Sequence, residues 1–265
     1  MIRKAQTHDL KAIQDLCASD SSRLLFIDGD IAQNGLHTSY QDTWVDDVEG
    51  KIQGLFLRYH ANFVFYMKEA CLDHAGFEAI LDQRIKMISA CQKDIDMMPQ
   101  YLKERYTFRT LYFCECDQLT NRDEPLNVQE VTVYDCADVV ESISQIEEFR
   151  SSLAHQTKDE RIQSMRERYA SQKIHGFIIK EDNQVVAHAS TSVETNSGAM
   201  IGAVFTLPDY RQKGYGRTVV SAITKYCLSK GQKPCLFYDN PKAGKIYLDL
   251  GYKTFDHWCL GSLKP

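Results

Sequence analysis

The loop at residues 206–217 constrains the fold of this 265-residue chain more than any other segment. An apolar stretch at residues 201–205 leads into it, and hydrophobic residues recur at helical spacing over residues 217–230 behind it. Two glycines, Gly214 and Gly216, lie at the transition. A strand that passes through such a loop into a helix can turn successive backbone N–H groups toward one point at the helix's positive end. The sequence therefore predicts a strand–loop–helix unit suited to an anion.

Positive charge is concentrated around this loop. Arg211, Lys213 and Arg217 lie in it or at its end, and residues 201–265 carry ten basic and four acidic side chains in a chain of net charge −5. A pyrophosphate matches the loop, because glycine lets the backbone approach an anion and the cations add full charges. The alternative is an ordinary glycine-containing loop with solvated lysines. The overall acidity argues against a dedicated nucleic-acid binder.

The loop resembles the signature of the GNAT superfamily of acyl-CoA-dependent N-acyltransferases. Residues 211–216 read Arg-Gln-Lys-Gly-Tyr-Gly and match every fixed place of the family's Arg/Gln-x-x-Gly-x-Gly/Ala. Residues 240–252 resemble a second family segment, Asn-x-x-Ala-x-x-x-Tyr-x-x-x-Gly-Phe, and begin 24 residues after Gly216. Residues 204–210 are similar to the glycine-N-acyltransferase-like branch. The neighbouring alternatives do not match, since the loop lacks the Gly-Lys-Ser/Thr ending of an NTPase and the third glycine of a dinucleotide fold.

The resemblance implies a reaction and a set of site residues. In the family an amine attacks the thioester carbonyl of acetyl-CoA directly, and a backbone N–H polarises that carbonyl. Here that N–H belongs to Val204 or Phe205. Tyr247 matches the residue that protonates the leaving CoA thiolate, and Asn240 matches one that bonds the pantetheine arm. The residues implied in cofactor binding are Val204, Phe205, Thr206, Arg211, Gln212, Lys213, Gly214, Tyr215, Gly216, Arg217 and Asn240.

Each side chain in these roles has a plain structural alternative. The Tyr247 ring could instead pack a helix against the sheet. The Asn240 side chain could instead cap the N-terminus of a helix. His188 and Glu194 are the candidates for the general base, because alternation along their strand places both on the same face. A buried, satisfied histidine and a surface carboxylate are the alternative reading of that pair.

We therefore expect an N-acetyltransferase that moves an acetyl group from acetyl-CoA to a primary amine, with Tyr247 as general acid. The alternative is a non-catalytic acyl-CoA-binding sensor or interaction module. The acceptor is expected to be a small-molecule or peptide amine, and the acidity of residues 1–200 favours a cationic one. No nucleic acid and no membrane is expected as a partner.

The predicted fold class is α+β, with a GNAT-type mixed, mostly antiparallel twisted sheet flanked by helices. A polar cluster at residues 121–125 predicts a boundary between an N-terminal lobe, 1–125, and a GNAT domain, 126–265. The opening strand and helix resemble the start of another GNAT module, yet no glycine-bearing pyrophosphate loop follows. We expect a degenerate lobe without a second CoA, with an unrelated α+β cap as the alternative. Periodicity also predicts a hairpin over 54–68, helices over 77–91, 139–149 and 157–171, and a strand over 128–134.

Composition limits the class of protein and the cell compartment that we expect. Hydrophobic residues make up 43% and charged residues 25%, which is typical of a globular chain. The longest apolar run, residues 63–67, is far shorter than the roughly 20 residues of a membrane span, and the first residues lack the apolar core of a secretory signal. Nine cysteines without a Cys-x-x-Cys pair indicate buried, reduced thiols rather than disulfides or a metal site, so we expect a cytoplasmic protein.

Overall fold

The computed structural model describes residues 1–71, 73–120, 127–150 and 156–264. Its contacts divide the chain into two compact units. The first unit comprises Met1–Cys114, Phe237–Asp239 and Thr254–Pro265, and the second comprises Glu115–Leu236 and Asn240–Lys253. The predicted boundary cluster, 121–125, lies outside the described residues. The predicted linear division into 1–125 and 126–265 stays a prediction, and the compact units differ from it because two C-terminal segments belong to the first unit.

The first unit is built on a sheet with α-helices. Its strands and helices are β1 (Ile2–Lys4), α1 (Leu10–Ser19), α2 (Leu25–Asn34), β2 (Gln41–Val48), β3 (Lys51–Tyr59), β4 (Asn62–Met67), α3 (His74–Ile80), β5 (Met87–Cys91), α4 (Gln92–Asp96), α5 (Gln100–Lys103) and β6 (Tyr106–Glu115). Strands β1 to β4 pair in chain order and antiparallel, and β4 then pairs parallel with β5.

The predicted hairpin over 54–68 is confirmed and supplies the core of this unit. Strands β3 and β4 turn at residues 60–61, and Phe56 lies opposite Phe65 in their register. Both phenylalanines pack around Phe77, with ring centroids 5.2 and 5.6 Å from it. The alternation of large apolar side chains over these strands therefore predicts both the pairing and the buried face.

The second unit contains the loop singled out in the sequence. Its strands and helices are β7 (Gln129–Glu130), α6 (Cys136–Ile143), α7 (Lys158–Ala170), β8 (Gly176–Glu181), β9 (Gln184–Glu194), β10 (Gly198–Thr206), α8 (Tyr215–Ser229), β11 (Lys233–Tyr238) and α9 (Pro241–Leu250). Strands β7 to β10 pair antiparallel in chain order, and β10 pairs parallel with β11. The predicted α+β class with a mostly antiparallel sheet is confirmed.

The last strand of the chain, β12 (Lys253–Leu263), returns to the first unit. It pairs antiparallel with β5, with Trp258 opposite Cys91, and lies between β5 and β6 in the sheet order. The first unit therefore needs residues more than 130 positions apart in sequence, which no local pattern predicts.

The predicted helix over 77–91 is confirmed only for residues 77–80 and is wrong for residues 81–91. Helix α3 ends at Ile80, the Asp82 carboxylate accepts a hydrogen bond from the Arg84 amide at 2.8 Å, and β5 follows. The hydrogen bond between the Asp82 side chain and the Arg84 amide competes with continuation of the helix. Residues 87–91 instead form a strand that pairs with β4 and β12.

Elements near residue 140 are also shorter than predicted. The strand over 128–134 is reduced to Gln129–Glu130, and the helix over 139–149 begins at Cys136 and ends at Ile143. The Ser144 hydroxyl donates to Val140 O at 2.6 Å, a local bond that competes with continuation of the helix. The helix predicted over 157–171 is confirmed as α7, and its capping box joins Thr157 and Glu160.

Among the described residues, no helix is long and apolar enough to span a membrane, and no group of side chains is arranged to hold a metal ion. All nine cysteines are buried free thiols.

Candidate functional site

The pairing of β10 opens a gap in the middle of a strand. The parallel ladder with β11 runs from Gly198 opposite Lys233 to Ile201 opposite Leu236, whereas β10 itself continues to Thr206. Residues 202–204 are partly exposed, in contrast to the buried residues before them. Backbone groups of this half of β10 are therefore available to an extended ligand on the side that β11 leaves.

A β-bulge lies at the same place on the opposite side of β10. The register with β9 runs from Gly202 opposite Ser190 to Phe205 opposite His188, so β10 carries one extra residue. Ala203 has a φ of +49°. The left-handed region costs an L-residue about 1–2 kcal/mol, so the surrounding contacts must hold this conformation.

His188 contacts the bulge directly. Its Nδ1 lies 2.7 Å from Ala203 O, and its ring lies 5.5 Å from the ring of Phe205 at an angle of 24°. The imidazole is fully buried, and burial lowers its pKa to about 4. The side chain is therefore neutral at pH 7 and has no solvent-exposed nitrogen with which to accept a substrate proton.

The loop after β10 has the backbone conformation of an anion cradle. A short 3₁₀ turn, Pro208–Tyr210, follows the strand, and Gln212 and Gly214 have φ values of +66° and +85°. Gly214 is the N-cap of the 15-residue helix α8. The first N–H groups of a helix have no acceptor within it, and at this end they add to the positive end of the dipole.

A side chain would be unfavourable at two glycines of this segment, for different reasons. Gly214 adopts a left-handed conformation that L-residues rarely take. A Cβ on Gly216 would lie 3.0 Å from the hydroxyl of Thr206. A larger residue at position 214 would strain the backbone, and one at position 216 would press on the Thr206 side chain.

The cations of the loop stay at its surface. The Arg211 Nε donates to Thr206 O at 3.2 Å, and its guanidinium lies 3.4 Å from Glu148. The ammonium of Lys213 is exposed and lies 4.8 Å from the centre of the Tyr210 ring. Weak, solvent-exposed contacts such as these leave both charges able to turn toward a bound anion.

The two predicted residues of the second motif lie on α9. The Asn240 side chain caps this helix by accepting a hydrogen bond from the Lys242 amide at 2.9 Å, so its structural alternative is confirmed. Tyr247, three-quarters of the way along α9, is 7% exposed. Helix α9 thus holds the phenol in a fixed and largely dry position.

Tyr252 packs against Tyr247. The sequence motif does not predict this contact. Their ring centroids lie 6.1 Å apart, and the Tyr252 amide donates to Tyr247 O at 3.1 Å. The Thr224 hydroxyl donates to Val220 O, so the buried Tyr252 hydroxyl donates to Thr224 at 2.6 Å. This pair anchors the end of α9 to α8.

Glu194 lies away from the bulge. It is opposite Ala199 at the start of β10, about 16 Å along the strand from Val204 at 3.3 Å per residue. Its carboxylate accepts from Thr191 Oγ1 at 2.5 Å and lies 2.9 Å from His175 Nδ1. The ladder is irregular between Met200 and Ile201, which interrupts the alternation that predicted a common face for Glu194 and His188.

A family model described as GNAT acetyltransferase matches residues 27–260. The chain belongs to the GNAT acetyltransferase family. As a member of it the protein is a GNAT-family acyltransferase, as the loop motif predicted. No curated protein sequence matches the chain.

Solved structures agree with this GNAT assignment at the level of the fold. A GNAT-family acetyltransferase from Colwellia psychrerythraea has a TM-score of 0.63 at 14% identity, with 100% of both chains covered. A Drosophila protein has a TM-score of 0.65 at 12% identity, covering 100% of this chain and 98% of its own. A tandem GNAT protein from the clavulanic acid biosynthesis pathway has a TM-score of 0.57 at 10% identity, covering 100% and 99%.

Proposed function

We propose that this GNAT protein transfers an acetyl group from acetyl-CoA to a primary amine by direct attack. The observation that carries the proposal is the early end of the β10–β11 ladder, directly before a left-handed glycine loop and the N-terminus of α8. An extended pantetheine arm matches the open half of β10, and a pyrophosphate matches the loop.

The loop residues divide the contacts to acetyl-CoA between main chain and side chain. Gln212, Gly214 and Gly216 offer backbone at the pyrophosphate, as does Tyr215, whose hydroxyl donates to Glu181 at 2.7 Å. The side chains of Arg211, Lys213 and Arg217 add positive charge, and Thr206 borders the loop. Asn240 donates from its amide nitrogen to the pantetheine arm, because its oxygen caps α9.

The reaction needs one new bond, one broken bond and two proton movements. The lone pair of the neutral amine attacks the thioester carbonyl, whose developing negative charge is stabilised by the N–H of Val204 or Phe205. The C–N bond forms and the C–S bond breaks. Tyr247 donates its phenolic proton to the departing CoA thiolate, and the amine nitrogen releases its proton.

Neither candidate for the general base lies where it could accept the substrate proton. A base must reach the proton that it accepts, and His188 is fully buried while Glu194 lies opposite Ala199 with its oxygen already hydrogen-bonded. We therefore propose that water takes the proton that the amine nitrogen releases once the C–N bond has formed, and that Tyr247 regains its proton from solvent after CoA leaves.

The first unit fits a degenerate GNAT lobe. Its strands pair in the same order as those of the second unit, antiparallel from β1 to β4 and parallel from β4 to β5. The likeness to a tandem GNAT protein extends over the whole chain. The connection from β4 to β5 has one glycine, Gly76 inside α3, and the sequence has none between β4 and that helix, so we propose that this unit binds no CoA.

A panel of primary amines tests the function. The intact protein is incubated with acetyl-CoA and small amines, polyamines, amino acids and peptides, and the release of free CoA thiol is followed. We expect turnover with at least one amine, and a cationic acceptor is favoured by the acidity of residues 1–200. Tight acetyl-CoA binding without turnover on any acceptor would instead support a non-catalytic acyl-CoA sensor.

A further inference from the structure

The imidazole of His188 makes one hydrogen bond within the described part of the chain. A carbonyl oxygen can only accept, so the 2.7 Å contact with Ala203 O requires a proton on Nδ1. A neutral ring then has no proton on Nε2, and this buried atom has no partner among the described residues. Burying an unpartnered polar atom is unfavourable. The contact with Ala203 therefore accounts for a histidine at a place that an apolar side chain would otherwise fill.

The accepting residue is itself in an unusual conformation. Ala203 is at the left-handed position of the β10 bulge, with a φ of +49°, where glycine is the common residue. An alanine stays in this region only when its surroundings hold it there. The hydrogen bond from His188 is such a restraint, and the stacked ring of Phe205 keeps the imidazole from turning.

The geometry of the peptide group connects this contact to the next amide. In a trans peptide the C=O of one residue and the N–H of the next point in opposite directions, and the chain contains no cis peptide bond among its described residues. Because Ala203 O points toward His188, the Val204 N–H points away from it. Val204 has no partner in the β9 register, and β11 pairing has ended at Ile201.

We propose that His188 is a positioning residue, whose Nδ1–H holds the Ala203 carbonyl and thereby aims the Val204 N–H at the thioester carbonyl of bound acetyl-CoA. The effect on catalysis rests on the proposed function. The direction of the Val204 N–H depends only on the geometry of the bulge. His188 touches neither substrate nor reacting atoms.

Infrared spectroscopy of bound acetyl-CoA, labelled with ¹³C at the thioester carbonyl, tests the proposal without an acceptor amine. A hydrogen bond from Val204 lowers the carbonyl stretching frequency in the wild-type complex relative to free acetyl-CoA. His188→Leu removes the donor, and we expect the frequency to return close to the free value while the acetyl-CoA dissociation constant changes by less than about threefold. His188→Asn keeps an amide N–H near the place of Nδ1, so the shift should persist.

A double variant and a control separate positioning from stability. Ala203→Gly removes the left-handed penalty, so the His188→Leu/Ala203→Gly protein should regain at least half of the lost shift. Val186→Ala, also buried on β9, should lower the melting temperature and leave the shift unchanged. A wild-type shift in His188→Leu, or no recovery in the double variant, overturns the proposal. If His188→Leu does not fold, His188→Gln replaces it, because its amide lies one bond too far to reproduce Nδ1.

Failure of the proposed function would be visible separately. Wild-type protein that binds no acetyl-CoA would reject the function and leave the bulge contact to be tested by ¹⁵N NMR of the histidine ring. The proposal expects a neutral ring with the proton on Nδ1 at pH 7. A proton on Nε2 would overturn it.

Discussion

The two units share a strand order and differ at the point where a ligand would bind. In each unit three antiparallel pairings are followed by one parallel pairing, β4 with β5 in the first and β10 with β11 in the second. In the second unit the connection is a left-handed glycine loop that opens a helix of 15 residues. In the first it leads to the seven-residue helix α3. Among the described residues, the loop proposed as an anion site therefore occurs in only one of the two units.

The N-termini of helices α3 and α8 show why the two connections differ as places for an anion. Helix α3 begins after Asp73, whose carboxylate accepts from Gly76 N at 2.9 Å and from Ile2 N at 2.8 Å. A negative side chain thus occupies the place of an anion and neutralises the helix dipole. The N-cap of helix α8 is Gly214, which has no side chain to take that place.

The strands that lead into these helices, β4 and β10, also differ in their pairing. The register of β3 with β4 is continuous from Gly54 to Tyr59, whereas β10 has a bulge between Gly202 and Phe205. A continuous ladder keeps its amides paired along the strand, and a bulge frees some of them. One loop and one extra residue therefore distinguish the strand and helix of the proposed site from their counterparts in the first unit.

Titration of the intact chain with CoA tests whether one unit or both units bind the cofactor. We expect one CoA per chain, because among the described residues only the second unit has a left-handed glycine at the N-cap of a helix that follows a bulged strand. Isothermal calorimetry gives the stoichiometry directly. Two molecules bound per chain would show that the first unit also forms a site.

Loss of the loop conformation should have the next largest effect. In Gly214→Val the side chain opposes a φ of +85° and blocks the approach of a pyrophosphate, so the CoA dissociation constant should rise about 100-fold. Gly50→Val is the matched control, because Gly50 has a φ of +79° in the first unit and open space around it. Both variants should lose about 1–2 kcal/mol of stability, but only the first should lose CoA. Equal CoA affinity in the two variants would refute the site.

Removal of one hydroxyl should lower turnover by about 10- to 100-fold without weakening CoA binding. Tyr247→Phe leaves the ring packed on α9 and removes only the proton donor to the thiolate. The measurement is kcat with the best acceptor of the panel, beside the CoA dissociation constant. Tyr106→Phe, a buried tyrosine of the first unit, is the control and should keep wild-type turnover. Full turnover in Tyr247→Phe would move the proton donor to another group.

The last prediction concerns the stability of the fold toward acid. The pKa of His188 falls from 6.5 to about 4 on folding, so the unfolded chain takes up the proton first. This stability is present above pH 6.5 and is lost between pH 6.5 and 4, by about 2 kcal/mol at pH 5.

A carboxylate of the first unit should respond only at lower pH. Hydrogen bonds from Arg3 lower the pKa of Asp9 to about 2 from 3.8, so its contribution is lost between about pH 4 and 2. Urea unfolding of wild type, His188→Asn and Asp9→Asn at pH 8, 5 and 3 checks this order. A wild-type loss between pH 8 and 5 that persists in His188→Asn would contradict the assignment.

The sequence by itself determined the features whose cause is local. The β3–β4 hairpin, the capping box at Thr157, the N-cap at Asn240 and the strand–loop–helix around Gly214 all follow from side chains within a few residues of one another. The GNAT family followed from two motifs in the second unit. Such features are readable because alternation, capping and glycine conformation act over one or two turns of chain.

Only the tertiary structure decided the features that depend on distant partners. Residues 87–91 join a sheet rather than a helix because β4 and β12 pair with them, and β12 comes from the end of the chain. His188 is a buried contact to Ala203 rather than an exposed base because the β10 bulge brings that carbonyl to it. Register and burial arise from pairing across the sheet, and one inserted residue changes which face or atom a side chain meets.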